Sequence, residues 1–417
     1  MQQIDFSQGS IRRRILAVAT PMLIAQLLNL LYNIVDRIYI GKIPGEGTLA
    51  LASIGLCFPF VTLITAFANL FGLGGAPLCA MARGKGNREG AQGIMVNAGF
   101  MLLLSGAVLT VLGIAFHRPL LYLFGASEVT YPYASSYIVI YLLGTLCVML
   151  SLGLNPYINC QGFARTGMLT VALGAAANIV LDPIFIFALH LGVRGAAIAT
   201  VLSQFLSAAW VVKFLTGKKA ELKLDFRGFR PDRQCIQRIT VLGIASFVMS
   251  FTDTLVQVAC NSMLRGFGGD LYISVMTVLN SVRQIAQTPV LAIADGASTA
   301  ISYNYGAGLY KRTRDAIRFM TQIAIGYTML VWMLVSLFPA LFIRIFNQDA
   351  ELVAAAVPAL HIYFFGFVMM AFQYAGQSTF RALGRAKYAV FFSLLRKAFI
   401  VVPLTLLLPY CWNLGVR

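Results

Sequence analysis

Apolar runs longer than the roughly 20 residues a helix needs to cross a bilayer recur along this whole 417-residue chain. Inside lipid a backbone has no water to bond, so each run has to close its own hydrogen bonds as a helix. Spans are expected at about 14 to 41, 50 to 81, 92 to 116, 133 to 160, 167 to 190, 195 to 216, 238 to 265, 270 to 304, 315 to 344, 354 to 380 and 387 to 410. The chain therefore reads as an all-α polytopic membrane protein with eleven helices. Only 11% of its residues are charged against 59% hydrophobic, so the few ionisable groups inside spans stand out. The polar N-terminal segment carries Arg12, Arg13 and Arg14 straight into a long span without a small-residue cleavage site. It reads as a retained first helix rather than a signal peptide.

The chain also repeats itself. Tyr141-Leu-Leu-Gly144 returns 222 places on as Tyr363-Phe-Phe-Gly366, Phe124 as Phe346, and Gly84 and Gly86 as Gly306 and Gly308, while Ala164-Arg165 matches Gly384-Arg385 at a slightly shorter offset. The first repeat holds six spans, so both halves enter the membrane in the same sense, as in a parallel repeat about an axis along the membrane normal. The expected division is 1–217 and 236–417, joined by a basic linker at 218–235. Leu191-Gly-Val-Arg194 precedes the sixth span and Leu414-Gly-Val-Arg417 stands at the corresponding place in the second half, where a twelfth span would follow. Two similar halves around a shared site suit a transporter, because the site can open alternately to either side.

Most Lys and Arg residues fall in loops on the side of the N terminus, the largest group lying between 213 and 238. That bias places the N terminus in the cytoplasm and the chain in the cytoplasmic membrane. The net charge of +17 is then a matter of topology and contact with anionic lipid, not of nucleic acid, and a monomer is expected. Seven cysteines without a Cys-x-x-Cys pair read as small buried hydrophobes. His117, His190 and His361 are scattered, and Gly266-Phe-Gly-Gly-Asp270 sits at an expected external turn, so neither a metal centre nor an enzyme is indicated.

Polar residues inside spans carry the chemistry. Gln26, Asn29, Asn33 and Asp36 share one stripe of the first helix, and Ser246, Ser250, Asp253 and Gln257 repeat the pattern on the seventh. Acids at mid-membrane cost about 2.5–3.5 kcal/mol and are functional candidates by default. Four lie in spans: Asp36, Asp182, Asp253 and Asp295. Asn178 and Asp182 stand one turn apart, and their depth matches that of Asp36 and Thr200. These oxygens suit Na⁺, or a carboxyl pair that holds a proton. Asp295 is expected either to meet substrate or to pair with Arg283 or Arg396.

These features together resemble the multidrug and toxic compound extrusion (MATE) family, nearest its DinF and MepA branch. The matching residues are Pro21, Tyr32 to Asp36, Asn178-Ile-Val-Leu-Asp182-Pro183, Gly195-Ala-Ala-Ile-Ala-Thr200, Tyr303-Asn-Tyr-Gly-Ala-Gly308 and Arg381-Ala-Leu-Gly-Arg385. The resemblance implies two V-shaped six-helix lobes and export of amphipathic, usually cationic, small molecules in exchange for H⁺ or Na⁺, with no cofactor. It makes Asp36, Asn178, Asp182 and Thr200 the cation-coupling set, which is also the place for Na⁺, and Pro21 the hinge of the first helix. Gln26, Asn29, Tyr32, Asn33, Asp253, Gln257, Gln284 and Asp295 are the expected substrate-cavity residues. NorM-like members carry a further acid on the tenth helix, where this chain has Gln373 and Gln377. A flippase of lipid-linked precursors is the alternative, though only Arg283 and Arg396 are at hand to clamp a pyrophosphate.

Overall fold

The computed structural model describes residues 3–346 and 349–411, without the side chains at 48, 250–251, 253–255, 257–259, 261–262, 264–274, 397–398, 406 and 408–411. Ser250, Asp253, Gln257 and the Gly266 to Asp270 motif thus lie outside the described side chains, and Leu414 to Arg417 outside the described residues altogether. Among the described residues every regular element is a helix. In chain order these are α1 (Ile11–Gly41), α2 (Gly47–Gly84), α3 (Arg88–Leu123), α4 (Tyr131–Leu143), α5 (Thr145–Cys160), α6 (Ala164–Pro183), α7 (Gly192–Thr216), α8 (Arg233–Gly306), α9 (Tyr310–Leu337), α10 (Pro339–Arg344), α11 (Ala350–Phe364), α12 (Met369–Ala382), α13 (Ala386–Leu394) and α14 (Val402–Cys411). Short π-helical stretches follow α6 at Ile184–Ala188 and α13 at Leu395–Val401. Side chains fix several helix starts: Asn87 accepts from Gly90 N–H, Asp232 from Gln234 N–H, and Asp349 from Glu351 N–H.

Seven helices among the described residues are long and apolar enough to cross a membrane, and two bent pairs bring the number to nine. The bent pairs are α4 with α5, at 56°, and α11 with α12, at 49°. Both breaks fall at the Tyr-x-x-Gly signature of the repeat, after Leu143 and after Phe364, so the expected single spans at 133 to 160 and 354 to 380 are kinked. Gly86 and Gly308, another repeated pair, both adopt left-handed backbone, with φ of +75° and +73°, in the turns that follow α2 and α8.

The expected spans at 238 to 265 and 270 to 304 differ more. Their backbone is one helical run, α8, and the glycines at 266 to 269 do not end it. It cannot be straight. The Arg381 guanidinium donates to Ser246 Oγ at 3.2 Å and pairs with Asp295 at 3.5 Å. Those two residues are 49 positions apart (295 minus 246), which is about 73 Å of straight helix, whereas one arginine reaches only a few ångströms. So α8 folds back into two arms, which take the places of the two remaining spans.

Packing follows the repeat. One core gathers α2 to α7 with residues such as Phe71, Met95 and Tyr157, and a second gathers α8 to α11 around Val278, Val335 and Phe364. Where the halves meet, a Cβ on Gly84 would overlap the Tyr303 carbonyl oxygen, and one on Gly306 would overlap that of Met81. The offset of 222 carries Met81 to Tyr303 and Gly84 to Gly306, so the two contacts are mirror roles of one, as on a two-fold axis. The linker is less free than its polarity promised: Leu222 and Leu224 are buried in the first core, and Leu222 N–H donates to Gln161 Oε1 at 2.9 Å. The segment before α1 spans both halves. Ile4 N–H reaches the Gly162 carbonyl at 3.0 Å, while Asn304 and Arg312 donate to the carbonyl of Phe6, itself 1% exposed.

Candidate functional site

Three helices of the first half bring the coupling set together. On α6, Asn178 and Asp182 are buried one turn apart, and Asn178 Nδ2 donates to Asp182 Oδ1 at 3.1 Å. Pro183, lacking an N–H, cannot close the bond to the Ile179 carbonyl, and the next five residues are π-wound. From α1, Asp36 comes within hydrogen-bonding reach of Asp182. From α7, Thr200 lines the same cavity as Asn178. Gly195 makes this approach possible, because a Cβ there would meet the Phe185 backbone.

The electrostatics of the cluster are unbalanced. Asp36 Oδ1, Asp182 Oδ2 and Asn178 Oδ1 are buried without a hydrogen-bond donor. Two adjoining carboxylates in a low-dielectric setting repel each other unless a cation or a shared proton lies between them.

The adjoining cavity, of about 40 Å³, is lined by Asn29, Tyr32, Asn155, Asn178, Thr200 and Gln204. A water needs about 10–15 Å³ measured this way, so the space admits an ion with a few waters and not a drug-sized molecule. Several contributors went unread in the sequence. Tyr137, buried against Thr200 and Asp36, and Tyr141 stand one turn apart on α4 with rings stacked at 6.1 Å. Their i, i+4 spacing was the available signal. Ser151, which donates to Gln204 Oε1 at 2.8 Å, and Asn155 come from α5 and show the same i, i+4 spacing.

The expected substrate-cavity residues do not gather in one place. Asn29 and Tyr32 line the small cavity just described, Gln26 is half-buried, and Gln284 is exposed. Asn33 is exposed too, and its amide bonds the Asn29 carbonyl of its own helix at 2.6 Å. Asp253 and Gln257 have no described side chain.

Asp295 pairs with Arg381 of α12, not with Arg283 or Arg396. Arg283 is twelve residues away on the same helix, about 18 Å, which no side-chain pair bridges. The pair borders a cavity of about 60 Å³ between the halves, together with Met22, Asn159, Ser298 and Thr299. Pro21 is buried within an unbroken α1, two residues from Ala19, whose backbone touches Gly296 of α8. Gln373 and Gln377 border a cavity of about 390 Å³ with Arg396 and, among the described residues, no acid.

A family model described as MatE matches residues 21–184 and again 245–407, once in each half. The multidrug export protein MepA of Staphylococcus haemolyticus strain JCSC1435 is 24% identical over 414 residues, 99% of this chain and 90% of that protein. Its counterpart in Staphylococcus aureus strain MSSA476 is 21% identical, over 98% and 90%. Among solved structures, an outward-facing multidrug resistance MATE transporter of the MOP superfamily superposes with a TM-score of 0.93 at 24% identity, covering 100% of this chain and 92% of that one. A MATE protein in its bent conformation also reaches 0.93, at 25% identity and the same coverage.

Proposed function

Since the chain belongs to the MatE family, matched in both halves, we propose that it is a secondary active exporter of amphipathic small molecules, driven by H⁺ or Na⁺ entering through Asp36, Asn178, Asp182 and Thr200. Its place is the cytoplasmic membrane with the N terminus inside, as the basic loops argue. The observation that carries the reading is the set of three donor-less buried oxygens on Asp36, Asn178 and Asp182. Such a set is stable when a cation is bound and strained when it is empty, which is the property an exchanger needs.

With the cation bound, α1 and α6 are held together through the two carboxyls. When it leaves, like-charge repulsion separates them. The displacement passes along α1 to the stretch at Pro21, where Ala19 meets Gly296, and so to the second half. Likeness to multidrug exporters points to drug-like cargo, with cations the family expectation. A precursor flippase is less favoured, because the described first half offers no arginine clamp at this site.

Proteoliposomes with Na⁺ and pH gradients imposed separately, loaded with a fluorescent dye, test the cycle. Transport is expected on a pH gradient alone, with proton release when dye binds. Strict dependence on Na⁺ would instead assign the Asn178 and Thr200 oxygens as its ligands. Flux driven by neither gradient refutes the exporter.

A further inference from the structure

From Asn178 and Thr200 the cavity of the first half runs on toward the end of the bundle where the N-terminal segment lies, with Ile4 bonded to Gly162. On α6 its lining reaches from Asn178 to Thr170, eight positions (178 minus 170) or about 12 Å of helix, and on α7 from Thr200 to Ser207. A volume of about 40 Å³ over that length holds waters only in single file, at about 10–15 Å³ each. The hydroxyls along it have their protons engaged elsewhere: Ser207 Oγ donates to the Thr170 carbonyl at 2.9 Å, Ser203 Oγ to the Ala199 carbonyl at 2.7 Å, and Thr170 Oγ1 to the Thr166 carbonyl at 3.3 Å. Each therefore turns lone pairs to the cavity. The described lining holds no Lys, Arg or His, so the space suits a cation.

One turn further along α5 the cavity of about 60 Å³ between the halves begins: Asn155 borders the first cavity and Asn159 the second, on one face of the helix. The Oδ1 atoms of both are buried without a hydrogen-bond donor among the described residues, and Asn159 as a whole is only 8% exposed. Asn155 Nδ2 donates to the Gly167 carbonyl at 3.1 Å, which fixes where its oxygen faces. A Cβ on Gly167 would stand 2.2 Å from Asn159 Oδ1 and 2.7 Å from Asn155 Oδ1, so the two oxygens are no more than 4.9 Å apart, those distances laid end to end. One water or one cation can bond both, and so satisfy two atoms that are otherwise costly to bury. Beyond Asn159 the second cavity offers Ser298, Thr299 and the Asp295 carboxylate, while the charge of Arg381 there is balanced by that same carboxylate.

We propose that the driving cation passes between the Asp36 and Asp182 carboxyls and the cytoplasmic face along this polar path inside the first half, crossing from one cavity to the other between Asn155 and Asn159. The proposal rests on the reading of the chain as an exporter and adds the route of its ion. Neither cavity admits a drug-sized molecule, so ion and cargo travel separately. A path open throughout would leak. At its narrowest point the bond from the Asn155 amide to the Gly167 carbonyl separates the cavities, and a shift of that one side chain joins them.

Three variants test the crossing. Asn159→Leu keeps the volume and removes the oxygen, Gly167→Ala places a methyl against both oxygens, and Asn159→Ser keeps an oxygen with room for one more water. Export of rhodamine 123 is measured in proteoliposomes on whichever gradient drives the parent. Asn159→Leu and Gly167→Ala should slow it by about tenfold or more, the scale of one lost hydrogen bond to a charged group, while Asn159→Ser stays near the parent's rate. Dye binding in detergent, read by anisotropy, should keep the parent's affinity in all three, which separates a blocked path from a lost fold. Slowing on a pH gradient assigns the passenger as a proton carried along water, and slowing on a Na⁺ gradient assigns it as Na⁺ itself. Should Asn159→Leu fail to fold, Gly167→Ala carries the test against Asn159→Ser. Parent-like export by Asn159→Leu and Gly167→Ala, or an Asn159→Ser variant as slow as they are, overturns the path and leaves the exporter standing. A parent that exports on neither gradient refutes the exporter, and the path with it.

Discussion

Asp36 and Asp182 are where burial and charge oppose each other most directly, and their neutral isosteres test the consequence. Asp36→Asn or Asp182→Asn keeps the volume and removes one of two repelling carboxylates, so each variant should fold at least as well as the parent. Each should lose ion-driven efflux to background in the proteoliposome assay, and full transport by either would remove the coupling site. Asp295 and Arg381 behave differently because they already neutralise each other across α8 and α12. Asp295→Asn or Arg381→Gln alone should cost about 1–3 kcal/mol by leaving a half-buried charge without its partner. The double variant should cost less than the sum, and thermal melts of the four proteins report the coupling. Strict additivity there would mean that the pair is incidental.

Helix elements meet at glycines, and two contrasts follow. At Gly84 and Gly306 the obstructing atoms are carbonyl oxygens of the opposite half, which cannot rotate away. Gly84→Ala should therefore destabilise the fold by about 1–3 kcal/mol, measured as a lower melting temperature. The breaks in α4–α5 and α11–α12 look alike in sequence but not in surroundings. A Cβ on Gly144 would crowd Val201, whereas one on Gly366 meets nothing within 4 Å. Gly144→Ala is expected to cost about 1–3 kcal/mol. Gly366→Ala should be neutral or gain up to about 1 kcal/mol through the unfolded chain. Equal effects at the two positions would show that neighbours do not decide the matter.

At the scale of the whole molecule, the segment before α1 ties the halves together at one end. Arg312 donates to the carbonyls of Phe6 and Gly9 at 3.0 and 2.9 Å, while Ile4 is bonded to Gly162 of the first half. Losing Arg312 removes the second half's main hold on that segment. Arg312→Ala should raise amide hydrogen exchange in residues 3–10 by an order of magnitude or so, with α3 unaffected. Unchanged exchange would show that packing of Phe6, not these bonds, secures it.

Much of this was open to a reading of the residues. Span number and helical class follow from run length, because a bilayer leaves the backbone no partner but itself. The duplication follows from spaced signatures. Asn178 with Asp182 follows from helical periodicity, since four residues are one turn. Other features depended on long-range contacts that no local pattern encodes. Asp295 found Arg381, 86 positions on (381 minus 295), because α8 folds back and α12 crosses it. Tyr137 reached Thr200 because α4 breaks at Gly144 and α7 starts close to Phe185. The residues expected to line one substrate cavity divided among different surroundings, because a stripe records which side of a helix is polar and not what that side meets. Periodicity thus determined the helices and their polar faces; only tertiary packing decided which faces met.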